Sequence, residues 1–454
     1  MRLTWAQPED LVPAEFAALR EQGVTEDALA PIERRWVDAG GSTALAPSGA
    51  SAAAASAEMR ALARIVLDDL ADLQAPSSEE PDEWADIAAL LPITLPAPAD
   101  APFDRIHGAW LGRAAGCLLG KPVEKIPREG IEEIARATGN WPIQRYFTAV
   151  GLPSDVAERW PWNRRSAPTS LLENIDGMPE DDDLNFPILA LDLLETHGGD
   201  LTTDDIAQAW LAVLPAGRVF TAERAAYRNI LDARPVPETA AHLNPFREWI
   251  GALIRADVHG WAHPGDVRAA AASAWIDARL SHTRNGIYGE MWAAALCSAS
   301  LVAASADEVL DAADTVVPPA SRLAAALRLG REVGRSLGEG ALSVESALDR
   351  LHAEFEGMHW VHTLNNAALI ACALQAHGRD FGAAIALAVA GGWDTDSVGA
   401  TVGSVVGGIV GADGIGAEWT SPLHDRISTS MPGGPTRSIH ELAERTFRLS
   451  GSRS

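Results

Sequence analysis

Gly108, Gly112, Gly116 and Gly120 recur at every fourth position, and Gly399, Gly403, Gly407 and Gly411 repeat the pattern almost three hundred residues later. On an α-helix each row lies along one face and runs about 18 Å at 1.5 Å per residue. A glycine inside a helix costs about 0.8–1 kcal/mol against alanine, so eight cost roughly 6–8 kcal/mol. That rivals the net stability of a whole domain, so close packing has to offset it. Glycine ridges let two backbones approach closely. The expectation is an antiparallel pair, with Gly112 and Gly116 near Gly403 and Gly407. Residues that follow the first ridge then meet residues that precede the second. The alternative is that each ridge faces some other helix.

Two acidic turns stand where such a meeting would bring them together. In GGWDTDSVGATVGSVVG (391–407), Asp394 and Asp396 precede a run of small apolar residues. Residues i and i+2 diverge by about 200° on a helix, so the pair converges only where the backbone is still turning. The second turn is Glu180-Asp181-Asp182-Asp183, ahead of the apolar segment LNFPILALDLLETHG. Acids at a helix start favour the dipole and can act as caps. Hard oxygen ligands backed by the Ser397 hydroxyl equally suit a divalent cation such as Mg²⁺. Adjacent carboxylates leading a buried helix repel each other unless a cation intervenes, and two such turns favour the metal reading.

Helical periodicity dominates beyond Asp104, over 105–120, 184–197, 204–213, 221–231, 243–255, 266–279, 288–305, 321–337, 343–355, 364–377, 381–390 and 397–411. Alternating strand-like runs are nearly absent, so an all-α domain over 101–450 is expected. Residues 1–100 are rich in alanine, proline and acids and read as a helical appendage. Its clearest helix spans 57–73, with Met59, Leu62, Ile65, Val66 and Leu70 on one side, and a linker follows at 92–104. The segment 137–180 is long, proline-punctuated and aromatic, and reads as a ligand wall, with Trp162 a candidate contact, or as a plug over the bundle.

A net charge of −26 argues against binding nucleic-acid backbones, but not against a small anionic ligand held at a metal or helix start. The most apolar window, 383–411, carries two aspartates in its middle and does not span a bilayer. Cys117, Cys297 and Cys372 fit no zinc or redox spacing and read as buried free thiols. No secretory signal is evident at the N-terminus, and a cytoplasmic location is expected. The oligomeric state is open, with a monomer favoured.

Three motifs, RIHGAWLGRAAGCLLGKPVE, PEDDDLNFPILALDLLE and HTLNNAALIACAL…AVAGGWDTDSVGATVGSVVGGIVG, resemble the ADP-ribosylglycohydrolase family in order and spacing over about residues 104–415. The resemblance implies an ADP-ribosylglycohydrolase-like multi-helix orthogonal bundle with two Mg²⁺ ions, for which Mn²⁺ can substitute. It also implies hydrolysis of the glycosidic bond between ADP-ribose and an acceptor. The implied metal ligands are Asp394, Asp396 and Ser397 from the late motif and three consecutive residues from the early one. The family's early pattern is Thr-Asp-Asp with an apolar residue three positions on. Matching that residue to Phe186 selects Asp181, Asp182 and Asp183, with Asp181 in the place of Thr; a shift by one selects Glu180, Asp181 and Asp182. Glu124 matches the family's acid beside the scissile ribose, and Glu124, Asp182 or Asp183 would orient or deprotonate the attacking water. SHTRNGIYGEMW resembles a stretch near the substrate, which makes His282, Asn285 and Tyr288 candidate contacts. His362, Asn365 and Gly392, before and within the late motif, are assigned to the same cleft. The rivals are a non-catalytic ADP-ribose-binding or structural protein and a dinuclear hydrolase of another nucleotide or nucleoside.

Overall fold

The computed structural model describes residues 3–46, 48–73, 79–92 and 99–451. Its two glycine ridges pack directly against each other. The first lies on the helix Phe103–Gly120 and the second on Thr395–Val410. A Cβ built on Gly108, Gly112 or Gly116 would fall well inside 3.0 Å of the carbonyl oxygen of Gly407, Gly403 or Gly399 respectively. The falling partner numbers make the pair antiparallel, as the spacing predicts. At the end of the first ridge, Thr395 Oγ1 donates to the Gly120 carbonyl at 2.9 Å. The start of one helix is thereby pinned to the end of the other.

Around this pair the described residues form 23 α-helices and one short hairpin. The fold is all-α, 63% helix and 2% strand. The hairpin pairs Arg426–Ser428 with Thr436–Ser438 antiparallel, with Ile427 opposite Arg437. Thr395–Val410 is buried along nearly its whole length, as are Asn285–Ser300 and Thr363–His377. All-round apolar helices of this kind belong to the centre of a large bundle. Two more glycines repeat the ridge device: Gly330 and Gly334 on Arg322–Gly338 meet the Ala368 and Cys372 carbonyls. The three cysteines are free and buried. Among the described residues no helix is long and apolar enough to cross a membrane.

The expected helix over 243–255 does not form. Leu253–Arg255 is a 3₁₀ turn and Asp257–Trp261 a separate short helix. Pro245 lacks an N–H, and Ile250 N and Glu248 O bond instead with Val361 O and Thr363 N. Those backbone groups are committed to another segment, so no intrahelical ladder is available to them. The segment 137–180 contains two short helices, Ser154–Arg159 and Ala167–Ser170.

Ahead of the family-like region lie Pro8–Glu21, Glu26–Asp38, Ala57–Ala71 and Trp84–Leu90. Residues 93–98 of the expected linker lie outside the described residues. On Ala57–Ala71 the buried face is Ala63, Val66, Leu67 and Leu70, whereas Ile65 is 52% exposed. The stripe advances by three and four residues from Met59, which leaves Ile65 about a quarter-turn away. These helices share one continuous apolar core with the body. They are also tied to it by buried polar contacts. Arg247 pairs with Glu15 at 3.0 Å, Gln22 Nε2 donates to Glu248 at 2.7 Å, and Glu80 pairs with Arg284 at 2.7 Å and Arg322 at 2.9 Å.

Candidate active site

Both acidic turns open onto one cavity of about 540 Å³, which Glu124 also lines. The first turn starts the helix Asp182–His197. Asp181 is its N-cap, accepting from Asp183 N at 2.9 Å. The second turn starts Thr395–Val410 at Asp394, and there the capping expectation fails. The Asp394 side chain makes no cap bond to the backbone. Its Oδ2 instead lies 3.0 Å from Ser397 Oγ, which is also 3.2 Å from Asp183 Oδ2. The hydroxyl holds one proton and donates to one of them at a time. Ser397 thus joins the two turns across 214 residues of sequence.

Few cations balance these acids. Lys121 Nζ pairs with Asp181, Lys125 with Glu124 at 2.9 Å, and Arg113 with Asp183 at 3.2 Å while also holding Asp257 at 2.7 Å. Among the described residues, Asp182, Asp394 and Asp396 have no ion-pair partner. Their carboxyls respond accordingly. Burial and the charge of Asp181 push Asp182 well up, and burial and Asp396 do the same to Asp394. Burial and Glu124 push Asp396 up to about 7. Burial alone would also raise Asp181, but Lys121 holds it below the usual range. Desolvated oxygens repelling one another fit a divalent cation, which removes the repulsion that burial amplifies. Cys117 lies beside Asp181 and Asp183, and burial and their charges push its thiol well up. Asp181, Asp182, Asp183, Asp394, Asp396 and Ser397 are therefore the residues suited to hold metal.

Glu124 stands at the rim of this cluster. Asn163 Nδ2 donates to its Oε2 at 2.6 Å and Lys125 holds its Oε1. Glu180, the alternative first member of the acid run, is paired with Arg218 at 3.0 Å and accepts from Asn185. Exposed Arg164 and Arg165 line the cavity mouth with Lys125, so a protein of net charge −26 has a cationic entrance. That suits an anionic, phosphate-bearing ligand.

The remaining sequence candidates do not line the cavity. Trp162 packs its ring on Phe147 between Pro161 and Asn163, which do line it. His282 accepts from Ala252 N at 3.3 Å, and Asn285 donates to Glu248 at 2.8 Å. Tyr288 donates to the Pro81 carbonyl at 2.5 Å, and His362 lies 3.2 Å from Glu21. Asn365 donates to the His359 carbonyl at 3.2 Å, which fixes the turn carrying cavity-lining Trp360. Gly392 has φ +74° and touches the Arg128 backbone, so no side chain fits there. Conversely, Lys121, Asn163, Trp249, Trp360 and Trp5 line the cavity without having been singled out. Lys121 follows directly on the first ridge and could have been marked by that position. Trp5 carries no such signal.

The ADP-ribosylglycohydrolase family model matches residues 98–454, most of the chain. The chain belongs to the ADP-ribosylglycohydrolase family. A solved structure described as an ADP-ribosylglycohydrolase-related protein complex is similar at 22% identity and a TM-score of 0.44, covering 77% of this chain and 98% of that one. A search of curated proteins finds no match. The family match takes in both ridges, both acid turns and Glu124. It leaves out almost all of the N-terminal helical segment, including cavity-lining Thr4, Trp5 and Ser48.

Proposed function

We propose that this protein is a Mg²⁺-dependent hydrolase of the bond between ADP-ribose and an acceptor. The observation that carries the reading is the convergence of two acid turns and Glu124 on one cavity whose mouth is cationic. A volume of about 540 Å³ is of the size that holds a nucleotide-sized ligand. Asp181, Asp182, Asp183, Asp394, Asp396 and Ser397 would hold the metal, with Asp181 kept in place by Lys121. Divalent cations bound there would supply positive charge to ribose hydroxyls and to water near neutral pH.

The chain's own groups do the rest. Asn163 and Lys125 each hold one oxygen of Glu124 and so orient it, leaving the second lone pair of an oxygen to take or return a proton at the anomeric centre or the leaving acceptor. Arg164 and Arg165 meet the diphosphate at the mouth. Ser397 keeps the two acid turns at a fixed separation. His282, Asn285, His362 and Asn365 act from behind the wall, by fixing the backbone and the residues that form it. Three free buried thiols suit a reducing compartment such as the cytoplasm.

The deciding experiment is incubation with a panel of ADP-ribosylated acceptors (arginine, serine, nucleobase and small-molecule linkages), with and without EDTA, reading free ADP-ribose. Release that EDTA abolishes supports the reading. ADP-ribose binding without release from any acceptor would make the protein a non-catalytic reader. Turnover of other nucleosides alone would make it a dinuclear hydrolase of a different substrate.

A further inference from the structure

We infer that Trp5, contributed by the segment ahead of the family domain, is a specificity-determining wall of the active-site cavity that stacks on a planar heteroaromatic ring of the substrate. Trp5 lines the cavity together with Trp249 and Trp360. It is half-buried, unlike Trp36, Trp110, Trp210, Trp261 and Trp292, which are fully enclosed in the core. Its backbone sits at φ +58°, in the left-handed region that bulky side chains rarely adopt.

The surrounding structure is built to hold that conformation. Trp5 N donates to the Gly49 carbonyl at 2.6 Å, and Arg224 Nη1 donates to the Thr4 carbonyl at 2.6 Å. Gly49, at φ +69°, lies so close to the indole that any Cβ would overlap its ring atoms. Phe246, Trp249 and His359 meet the indole edge-to-face, with ring centroids 5.4, 5.5 and 5.9 Å away and interplanar angles of 82–89°. Trp249 is itself stacked on His359 at 4.2 Å. Core Trp36 also has a glycine, Gly41, against its ring, but only Trp5 combines that contact with a left-handed backbone and a place on the cavity wall. Rigid aromatic surface beside Arg164, Arg165 and Lys125 is the chemistry that takes a heteroaromatic ring next to phosphate.

This inference rests on the proposed function, and the ring has two sources: the base of the nucleotide half or an aromatic acceptor. Trp5→Leu keeps apolarity but removes planarity together with part of the volume, and Trp5→Phe restores the aromatic ring. Binding of ADP-ribose, AMP and ribose 5-phosphate is measured by calorimetry with Mg²⁺ present. Ring stacking predicts that Trp5→Leu weakens ADP-ribose and AMP by about tenfold or more. Ribose 5-phosphate, which has no ring, should bind as before and certifies an intact site. Trp5→Phe should recover most of the loss, and Gly49→Ala, which displaces the indole, should reproduce it. If the ring belongs to the acceptor, AMP and ADP-ribose are unchanged while KM rises about tenfold for aromatic acceptors and not for aliphatic ones. A parent that binds, with Trp5→Leu equal to it for every ligand and KM, overturns the inference and leaves the proposed function standing. A parent that binds none of the three overturns the functional reading, and the inference falls with it.

Discussion

A Cβ on Gly112 would overlap the carbonyl oxygen of Gly403. The ridge pairing therefore tolerates no side chain. Gly112→Ala should force the helices apart and cost at least about 3 kcal/mol, the upper range for overpacking, with Tm falling by several degrees. Gly199→Ala is the control, because no atom lies within 4 Å of its Cβ position. Thermal melts of the two variants check this, and equal melting would mean that the helices yield easily.

Glu124 is held by Asn163 and Lys125 at the cavity rim, so a neutral isostere should sit in the same place. Glu124→Gln should lower turnover by about a hundredfold or more while ADP-ribose binding persists. Steady-state rates paired with calorimetry test it. Full turnover in the variant removes Glu124 from the mechanism.

The acids that lack cation partners predict a crossed pattern of stability. Asp182→Asn with Asp394→Asn removes buried like charges, so in EDTA the double variant should melt above the parent. With Mg²⁺ the order should reverse. Only the parent gains, by about 2.7 kcal/mol when the metal is at a hundred times its Kd. Parallel melting curves with and without Mg²⁺ would show that the acid turns bind no cation.

Glu80 gives the acid limb of stability. Although burial works against its charge, Arg322, helped by Asn285, holds its carboxyl at about 2, below the ordinary value of 4.5. A depressed carboxyl contributes stability that is fully present above pH 4.5 and is lost as pH falls towards 2. Asp82 close by runs the other way, since burial pushes it up to about 6, and its cost builds as pH rises from 3.8 to that value and is constant above it. Glu80→Gln should therefore be destabilised by roughly 2 kcal/mol at pH 7, with the difference from the parent vanishing near pH 2. Denaturant titrations across pH 2–7 measure that difference directly. A gap that does not narrow with acid would exclude an ionic role for Glu80.

Much of this architecture was legible because its signals are local. Four-residue glycine spacing marks a ridge whatever it packs against, and acids ahead of an apolar helix mark a charged turn. The glycine spacing suggests an antiparallel ridge pairing without knowledge of the intervening chain, but the alternative that each ridge faces another helix is resolved only by the Gly112–Gly403 contact. What was hidden depends on contacts remote in sequence. Nothing near Trp5 announces that Arg224 and Gly49 will fix it at the cavity, and Asn163 becomes relevant only through Glu124. The helix expected at 243–255 failed for the same reason, since its backbone is spoken for by residues 361–363. His282, Asn285 and Tyr288 stand in a motif-like stretch, yet their polar atoms are turned towards Ala252, Glu248 and Pro81.

The Thr395–Gly120 bond that pins the ridges spans 275 residues. During synthesis at about 5–20 residues per second, the first ridge would wait roughly 14–55 s for its partner to emerge. Until then Glu124 and Asp181–Asp183 are on the ribosome-bound chain, but Asp394, Asp396 and Ser397 do not yet exist. Neither half holds all the acids that line the cavity, so the proposed site cannot assemble on a shorter nascent chain. Assembly of the proposed site is gated by synthesis of its second acid turn, and metal uptake would report that this turn has arrived.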